Sequence, residues 1–353
     1  MMKKKLLKMA EKNSVLYNVL MILKYRHDER FMELVRGARQ NPNLVVLQEN
    51  PEKAEQNSVL YRIEIGGEND GFFALVRWTL DALYFCDCFS FLPEIRFSEN
   101  ILYYDSTMPR NLNPYEYYFE QPLAAFPEQC EKAGAVIEYE PRNGLKAESL
   151  NDGVSYQISE KYIDAMSRVM RKYLHFNEET KKRIERENQK RTVNETVLGV
   201  HIRGTDYKSN YKNHPQYIPP SEYYGYIDEA LEKYGFQKIY IATDDEEILQ
   251  EFLRHYGEER VLYSSDTQRS SGTEGVHTSS GSVREHHKYM LGMDVICDMC
   301  ALAGCGGLIS SLSQVSLVCR IYKKSKNENF RYDKTLSHGV NKTGKTFRVK
   351  KER

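Results

Sequence analysis

Val197-Leu198-Gly199-Val200-His201-Ile202-Arg203-Gly204-Thr205-Asp206-Tyr207 is the stretch on which the reading of this chain turns. A short apolar, β-branched run stops abruptly in His, Arg, Gly and Asp, which is the pattern of a buried strand ended by a turn. In an open parallel sheet the carboxyl ends of the strands border the ligand crevice. The strand therefore delivers an imidazole, a guanidinium and a carboxylate to one mouth. Arg203 suits an anion there, because its planar fork can donate two parallel hydrogen bonds to a phosphate.

Working outward from this strand, the second half alternates strand and helix. Strands are expected over 196–202, 238–243, 260–263 and 307–309. Helices are expected over 221–234, 246–256, 287–303 and 313–322. In the first two of these helices Tyr223, Ile227 and Ala230, then Ile248, Leu249 and Phe252, recur at helical spacing. That order implies a parallel sheet with right-handed crossovers. Besides 201–206, polar clusters end two other strands: Thr243-Asp244-Asp245 and Ser310-Ser311-Leu312-Ser313-Gln314. Ser313 and the amides beside it can hold a phosphate at a helix N-terminus. Asp298, on the preceding helix, is placed to accept hydrogen bonds from a base or a ribose. Plainer roles stand beside these: Asp244, Asp245 and Ser313 as helix caps, and His201 as a core histidine.

The first half is less regular. A helix is expected over 28–40, strands over 43–48 and 61–65, and a buried helix over 73–89 behind the turn 66–72. Asn111 to Pro122 reads as an aromatic loop containing Tyr115, Tyr117 and Tyr118. Ser159 and Asn177 read as caps of two further helices. The polar stretch 186–195 separates the halves. The expected division is 1–190, an acceptor-side domain with a helical extension, then 191–325, a nucleotide-sugar domain, then 326–353, a basic tail. The Ser- and Gly-rich stretch 264–285 reads as a lid or a mobile loop beside the crevice.

Length and charge bound the partners. A chain of 353 residues exceeds what one core usually organises. Lys+Arg and Asp+Glu both number 50, so no global field recruits nucleic acid. Seven Cys, an odd number without a secretory leader, argue for reduced thiols and a cytoplasmic setting. Cys297, Cys300 and Cys305 read as small buried hydrophobes rather than as zinc ligands. No transmembrane segment is expected. Basic residues at both ends leave peripheral contact with a membrane surface open.

No GxGxxG follows a first strand, and Walker A and HExxH motifs are missing, so dinucleotide, P-loop and zincin readings lose support. A leaving anion would then be stabilised by Arg203 and a helix dipole rather than by a divalent ion, and no metal or cofactor is expected. The set His201-Ile202-Arg203-x-Thr205-Asp206, Ala242-Thr243-Asp244-Asp245 and Asp298 followed by Ser310-x-x-Ser313-Gln314-Val315 resembles the three motifs of the α1,6-fucosyltransferase and protein O-fucosyltransferase superfamily. Gly71-Phe72-Phe73 and the run from Asn113 to Pro122 look similar to bacterial members. The resemblance implies a GT-B fold, two Rossmann-like domains facing a cleft, with GDP-fucose as donor and an inverting, metal-independent reaction. It implies that Arg203 holds the β-phosphate, that Ser313 and Gln314 bind phosphate and that Asp298 reads guanine. His201 then lies beside the nucleotide, and Asp244 and Asp245 support its pocket.

Two departures stand out. The family's second Arg is Gly204 here, which leaves Arg284 or Lys288 as helpers. The Glu beyond the first motif is missing, which leaves Asp206 or His214 as base unless the first domain supplies one. Gly71, Phe72, Tyr117 and His214 are the acceptor-side candidates, facing an oligosaccharide or polysaccharide. The alternatives are a GDP-sugar- or glycan-binding protein without catalysis, and a metal-dependent phosphate-ester hydrolase built on Asp244 and Asp245.

Overall fold

A computed structural model describes residues 45–49, 59–67, 70–109, 112–122, 135–139, 159–272 and 284–344, with a few positions between 19 and 27. The chain groups into two compact units. The first comprises 1–66, 78–98 and 120–175, and the second 67–77, 99–119 and 176–353. The helix expected over 28–40 lies outside the described residues, as does 273–283 of the Ser- and Gly-rich stretch.

Unit one holds a four-stranded sheet of β1 (Val45–Glu49), β2 (Val59–Ile65), β3 (Leu92–Phe97) and β4 (Ala135–Tyr139) in the order β1-β4-β2-β3. β2 runs parallel to β3 and β4, while β1 is antiparallel to β4. Tyr61, Ile63 and Ile65 of β2 are fully buried, and the Tyr61 ring packs on Phe85 and Phe91. Helix α1 (Phe72–Phe89) is apolar on most sides, and Leu75, Leu80 and Leu83 are sealed from solvent. Helix α2 (Glu160–Tyr173) is capped by Ser159, whose hydroxyl accepts from the Tyr162 amide at 3.1 Å.

Unit two is a five-stranded parallel sheet. Its strands are β5 (Val197–Ile202), β6 (Lys238–Thr243), β7 (Val261–Leu262), β8 (Gly307–Ser311) and β9 (Tyr332–Leu336), ordered β7-β6-β5-β8-β9. Every pairing is parallel, as the strand–helix alternation implies. Leu198, Val200 and Ile202 point to one face of β5. There they pack with Tyr223, Ile227 and Ala230 of α4 (Ser221–Tyr234) and Ile248, Leu249 and Phe252 of α5 (Glu246–Tyr256). Each such side chain contributes about 1.5–3 kcal/mol by burial. Period-two alternation sends Gly199, His201 and Arg203 to the opposite face. That face is covered by α6 (His287–Gly304) and α7 (Gln314–Ser325). Helix α3 (Glu178–Arg191), capped by Asn177, packs against α6.

The described part of the segment read as a tail, 326–344, carries a strand. α7 continues to Ser325, and β9 lies wholly within the stretch assigned to the tail. β9 is an edge strand, and its Asp333 and Lys334 break the apolar alternation that marks buried strands. Arg320 of α7 holds it by donating to Asp333 at 2.9 Å and to Thr335 at 2.9 Å. Lys323, almost fully buried, donates to the carbonyls of Ala303 and Cys305 at 3.0 and 2.9 Å, satisfying the end of α6. Cys297, Cys300 and Cys305 are buried free thiols, and desolvation pushes all three pKa values upward.

Candidate functional site

Arg203 leaves the end of β5 half-buried and held at both sides. Its Nε and one Nη donate to the two Asp206 oxygens at 2.9 and 3.0 Å. The other Nη pairs with Asp244 Oδ2 at 2.9 Å. Burial opposes the charged guanidinium, but these two carboxylates raise its pKa further, so it stays cationic. Asp244, at the end of β6, also accepts from the Gly204 amide at 2.9 Å and the Thr205 hydroxyl at 2.7 Å. Burial alone would raise its pKa; Arg203 and these donors hold it below the usual carboxylate value. Asp245 turns away from this cluster. It caps α5 by accepting from the Glu247 amide at 2.9 Å, and it pairs with Lys208 at 2.6 Å.

Ser313 caps α7, accepting from the Ser316 amide at 3.0 Å. Its hydroxyl lies 3.4 Å from His201 Nδ1. Desolvation first, then the Arg203 charge, depresses the His201 imidazole to about 4, so the ring is neutral at physiological pH. Gln314 opens the helix, and its carbonyl accepts from Arg77 at 3.5 Å. The strand end and the helix start thus place a cation and a positive helix terminus close together.

One cavity joins these parts to α6. Its space, counted out into open solvent, is about 760 Å³. His201, Arg203 and Asp244 line it, with Asp294 and Asp298 one helical turn apart on α6. Asp298 accepts from Tyr240 at 2.7 Å, and burial raises its pKa. Arg191 backs this wall: it donates to Tyr240 at 3.1 Å and to Ser264 at 2.7 Å. Desolvation pushes Asp294 up to about 6 despite its 2.7 Å pair with Arg284.

The predicted residues divide. His201, Arg203, Asp244 and Asp298 line the cavity, and Asp206 and Ser313 contact residues that do. Asp245 is a cap whose salt bridge faces Lys208. Of the proposed helpers, Arg284 is engaged with Asp294, while Lys288 donates its backbone amide to Asp105 at 3.2 Å. The acceptor-side candidates separate from the cavity. Gly71 precedes the first turn of α1, and its carbonyl accepts from the Ala74 amide at 2.8 Å. Phe72 and Tyr117 are buried, which corrects their reading as an acceptor surface: their rings are used in packing. Phe72 meets Tyr103 and Tyr118 edge-on at 5.1 and 4.9 Å, and Tyr117 meets Tyr289. His214 lies in the loop after β5, beside Tyr211.

Sequence reasoning missed Tyr103 and Asp294, while Thr267 and Gln268 come from the Ser- and Gly-rich stretch expected beside the crevice. Asp294 carried a signal, its i, i+4 spacing to Asp298. Tyr103 carried none, because it reaches the cavity from a loop and accepts from the Phe72 amide at 2.8 Å.

Residues 154–324 match the family model for alpha-(1,6)-fucosyltransferase N- and catalytic domains. No curated protein matches the chain. Among solved structures, it is similar to fucosyltransferase NodZ from Bradyrhizobium, at 13% identity over 76% of this chain and 93% of that one, with a TM-score of 0.42. It is also similar to NodZ soaked with GDP-fucose, at 12% over 75% and 92%, with a TM-score of 0.43. Similarity to POFUT1 in complex with GDP is 10% over 82% and 99%, with a TM-score of 0.44.

Proposed function

We propose, from the premise that residues 154–324 belong to the fucosyltransferase superfamily, that this protein is an inverting glycosyltransferase moving fucose from GDP-fucose to a glycan. The observation that carries the reading is Arg203, fixed by two carboxylates at the wall of the cavity that also contains His201 and Asp298. The five-stranded parallel sheet of unit two supports the GT-B assignment.

Guanine offers its N1–H and exocyclic amine as adjacent donors, a pair that a buried carboxylate lining the cavity, such as Asp298, suits. The diphosphate then lies against Arg203 and the N-terminus of α7. A base takes the proton from an acceptor hydroxyl, and the oxygen attacks the anomeric carbon opposite the diphosphate. The carbon–phosphate oxygen bond breaks and GDP leaves with the electron pair. Arg203 and the helix terminus stabilise that charge as it develops, and the reaction runs without a divalent cation. Asp206 aims the guanidinium, since both its oxygens lie on Arg203.

Calorimetric titration with GDP, ADP and UDP, with and without EDTA, tests the nucleotide site. Selective GDP binding that EDTA leaves intact, followed by glycan-dependent release of GDP from GDP-fucose, is the expected result. A folded sample that binds none of the three overturns the reading. GDP binding with no donor consumption on any glycan leaves a binding protein instead.

A further inference from the structure

We propose that unit two carries a second, separate site: a groove for a neutral saccharide, formed where the loop after β5 meets the C-terminal segment. Lys208, Asn210, Gln216, Tyr217, Asn341 and Thr343 line it, around about 870 Å³ of space open to solvent. None of these residues lines the nucleotide cavity.

The walls are fixed by backbone pairing. Asn213 donates its amide to the Asn341 carbonyl at 2.9 Å, and Asn341 returns a bond to His214 at 2.9 Å. Gln216 donates to Gly339 at 3.0 Å, and the Asn341 side chain donates to the Tyr211 carbonyl at 3.3 Å. Gly344 approaches so closely that a Cβ there would lie 2.0 Å from the Asn210 carbonyl oxygen. The groove is thus largely formed before any ligand arrives, which lowers the ordering cost of binding.

Its chemistry selects the ligand class. Three amide side chains and a hydroxyl each donate and accept, as sugar hydroxyls do. The half-buried Tyr217 supplies a ring with a polar tip, suited to the apolar face of a pyranose. Lys208 is the charged member of the set, and Asp245 at 2.6 Å and Glu247 at 3.2 Å balance it. A phosphate or a polyanion therefore gains little, whereas an uncharged polyol matches the lining. His214 lies in the loop that forms one wall. If the glycosyltransferase reading holds, the groove is an acceptor subsite; that role alone rests on it.

The test is a glycan array probed with the full chain, alongside GDP titration. Wild type is expected to bind a neutral oligosaccharide, and Gln216→Ala/Tyr217→Ala to lose at least tenfold of that signal while keeping GDP affinity within twofold. Arg203→Ala is expected to keep the glycan signal. Should the double variant unfold on heating earlier than wild type, Thr343→Arg at the exposed rim supplies the same loss without touching the core. No signal above background on the array, binding confined to sulfated or phosphorylated glycans, or a signal insensitive to both variants overturns the proposal. Glycan binding without GDP binding sinks the nucleotide reading and leaves the groove standing; the reverse sinks the groove alone.

Discussion

A Cβ atom on residue 204 would stand 2.4 Å from the Cβ of Asp245, and 2.7 Å from one of its carboxylate oxygens. Asp245 cannot give way easily: it is fully buried, caps α5 and holds Lys208. The superfamily's second Arg therefore has no room at this position, and glycine is what the packing admits. Gly204→Ala is expected to destabilise the protein by about 1–3 kcal/mol, as overpacking does, with Gly204→Arg costing more. The shortest contact is with a Cβ, so Asp245→Ala relieves the overlap only in part and Asp245→Gly relieves it fully. Urea unfolding of the single and double variants checks this: favourable coupling is expected for Gly204→Ala with Asp245→Gly and a smaller one with Asp245→Ala.

Arg203 offers three nitrogens to two carboxylates at once. A lysine carries the charge but not the fork, and cannot bridge Asp206 and Asp244 in the same way. Arg203→Ala is expected to lower turnover of GDP-fucose by at least ~10²-fold, as loss of one charge-stabilising donor does. Arg203→Lys is expected to recover little of it. Steady-state rates of GDP release decide the point, and a lysine variant near wild type would show that charge alone suffices.

The sheet of unit two was legible because short apolar strand runs alternate with helices such as α4 and α5 that carry a helical period. Leu198, Val200 and Ile202 alternate, and Ile248, Leu249 and Phe252 recur at helical spacing. The caps Ser159 and Asn177 read as such, and Asp245 and Ser313 take the cap role that stood as their plainer alternative, because each has a side-chain oxygen at the turn before a helix. β9 was not legible, since Arg320 rather than apolar burial fastens it. The aromatic run from Tyr115 to Phe119 was misread for a related reason: polar-tipped rings fit a sugar surface and a packed interior equally well. Gly292 shows which applies, because a Cβ there would lie 2.3 Å from the Tyr118 hydroxyl. Of the site, the strand-end residues were legible and much of the wall from other elements was not, because Tyr103 comes from a loop and Asp294 from a helix that long-range packing brings to the cavity.

His201 makes stability depend on pH. The unfolded chain takes up its proton near 6.5, while the folded site does so at about 4. Between these values the unfolded state binds more protons, so stability rises with pH across the window and falls as the solution is acidified. The loss between pH 7 and pH 4.5 is about 2–3 kcal/mol at 1.36 kcal/mol per unit. His201→Gln is expected to remove that part of the slope. Urea midpoints at the two pH values, compared between wild type and variant, measure it; equal slopes would show that the imidazole is not held neutral by its surroundings.

Asp298 reaches its ligand face through Tyr240, which donates to it at 2.7 Å, while Arg191 donates to Tyr240 at 3.1 Å and keeps the phenol aimed. A carboxylate so placed accepts from a base that offers two adjacent N–H donors; an amide in its place offers one acceptor and a competing donor. Asp298→Asn is therefore expected to weaken GDP by about 10–100-fold, the cost of roughly 1–3 kcal/mol for an unpaired polar contact. ADP and UDP, which lack the donor pair, are expected to change by less than threefold. Tyr240→Phe leaves the carboxylate in place but removes its aim, so GDP affinity should fall by less than in Asp298→Asn. Without that donor the Asp298 pKa rises further, and the affinity that remains should increase with pH. Titrations at pH 6 and pH 8 separate the two effects, and parallel losses of GDP and ADP in Asp298→Asn would remove this carboxylate from base recognition.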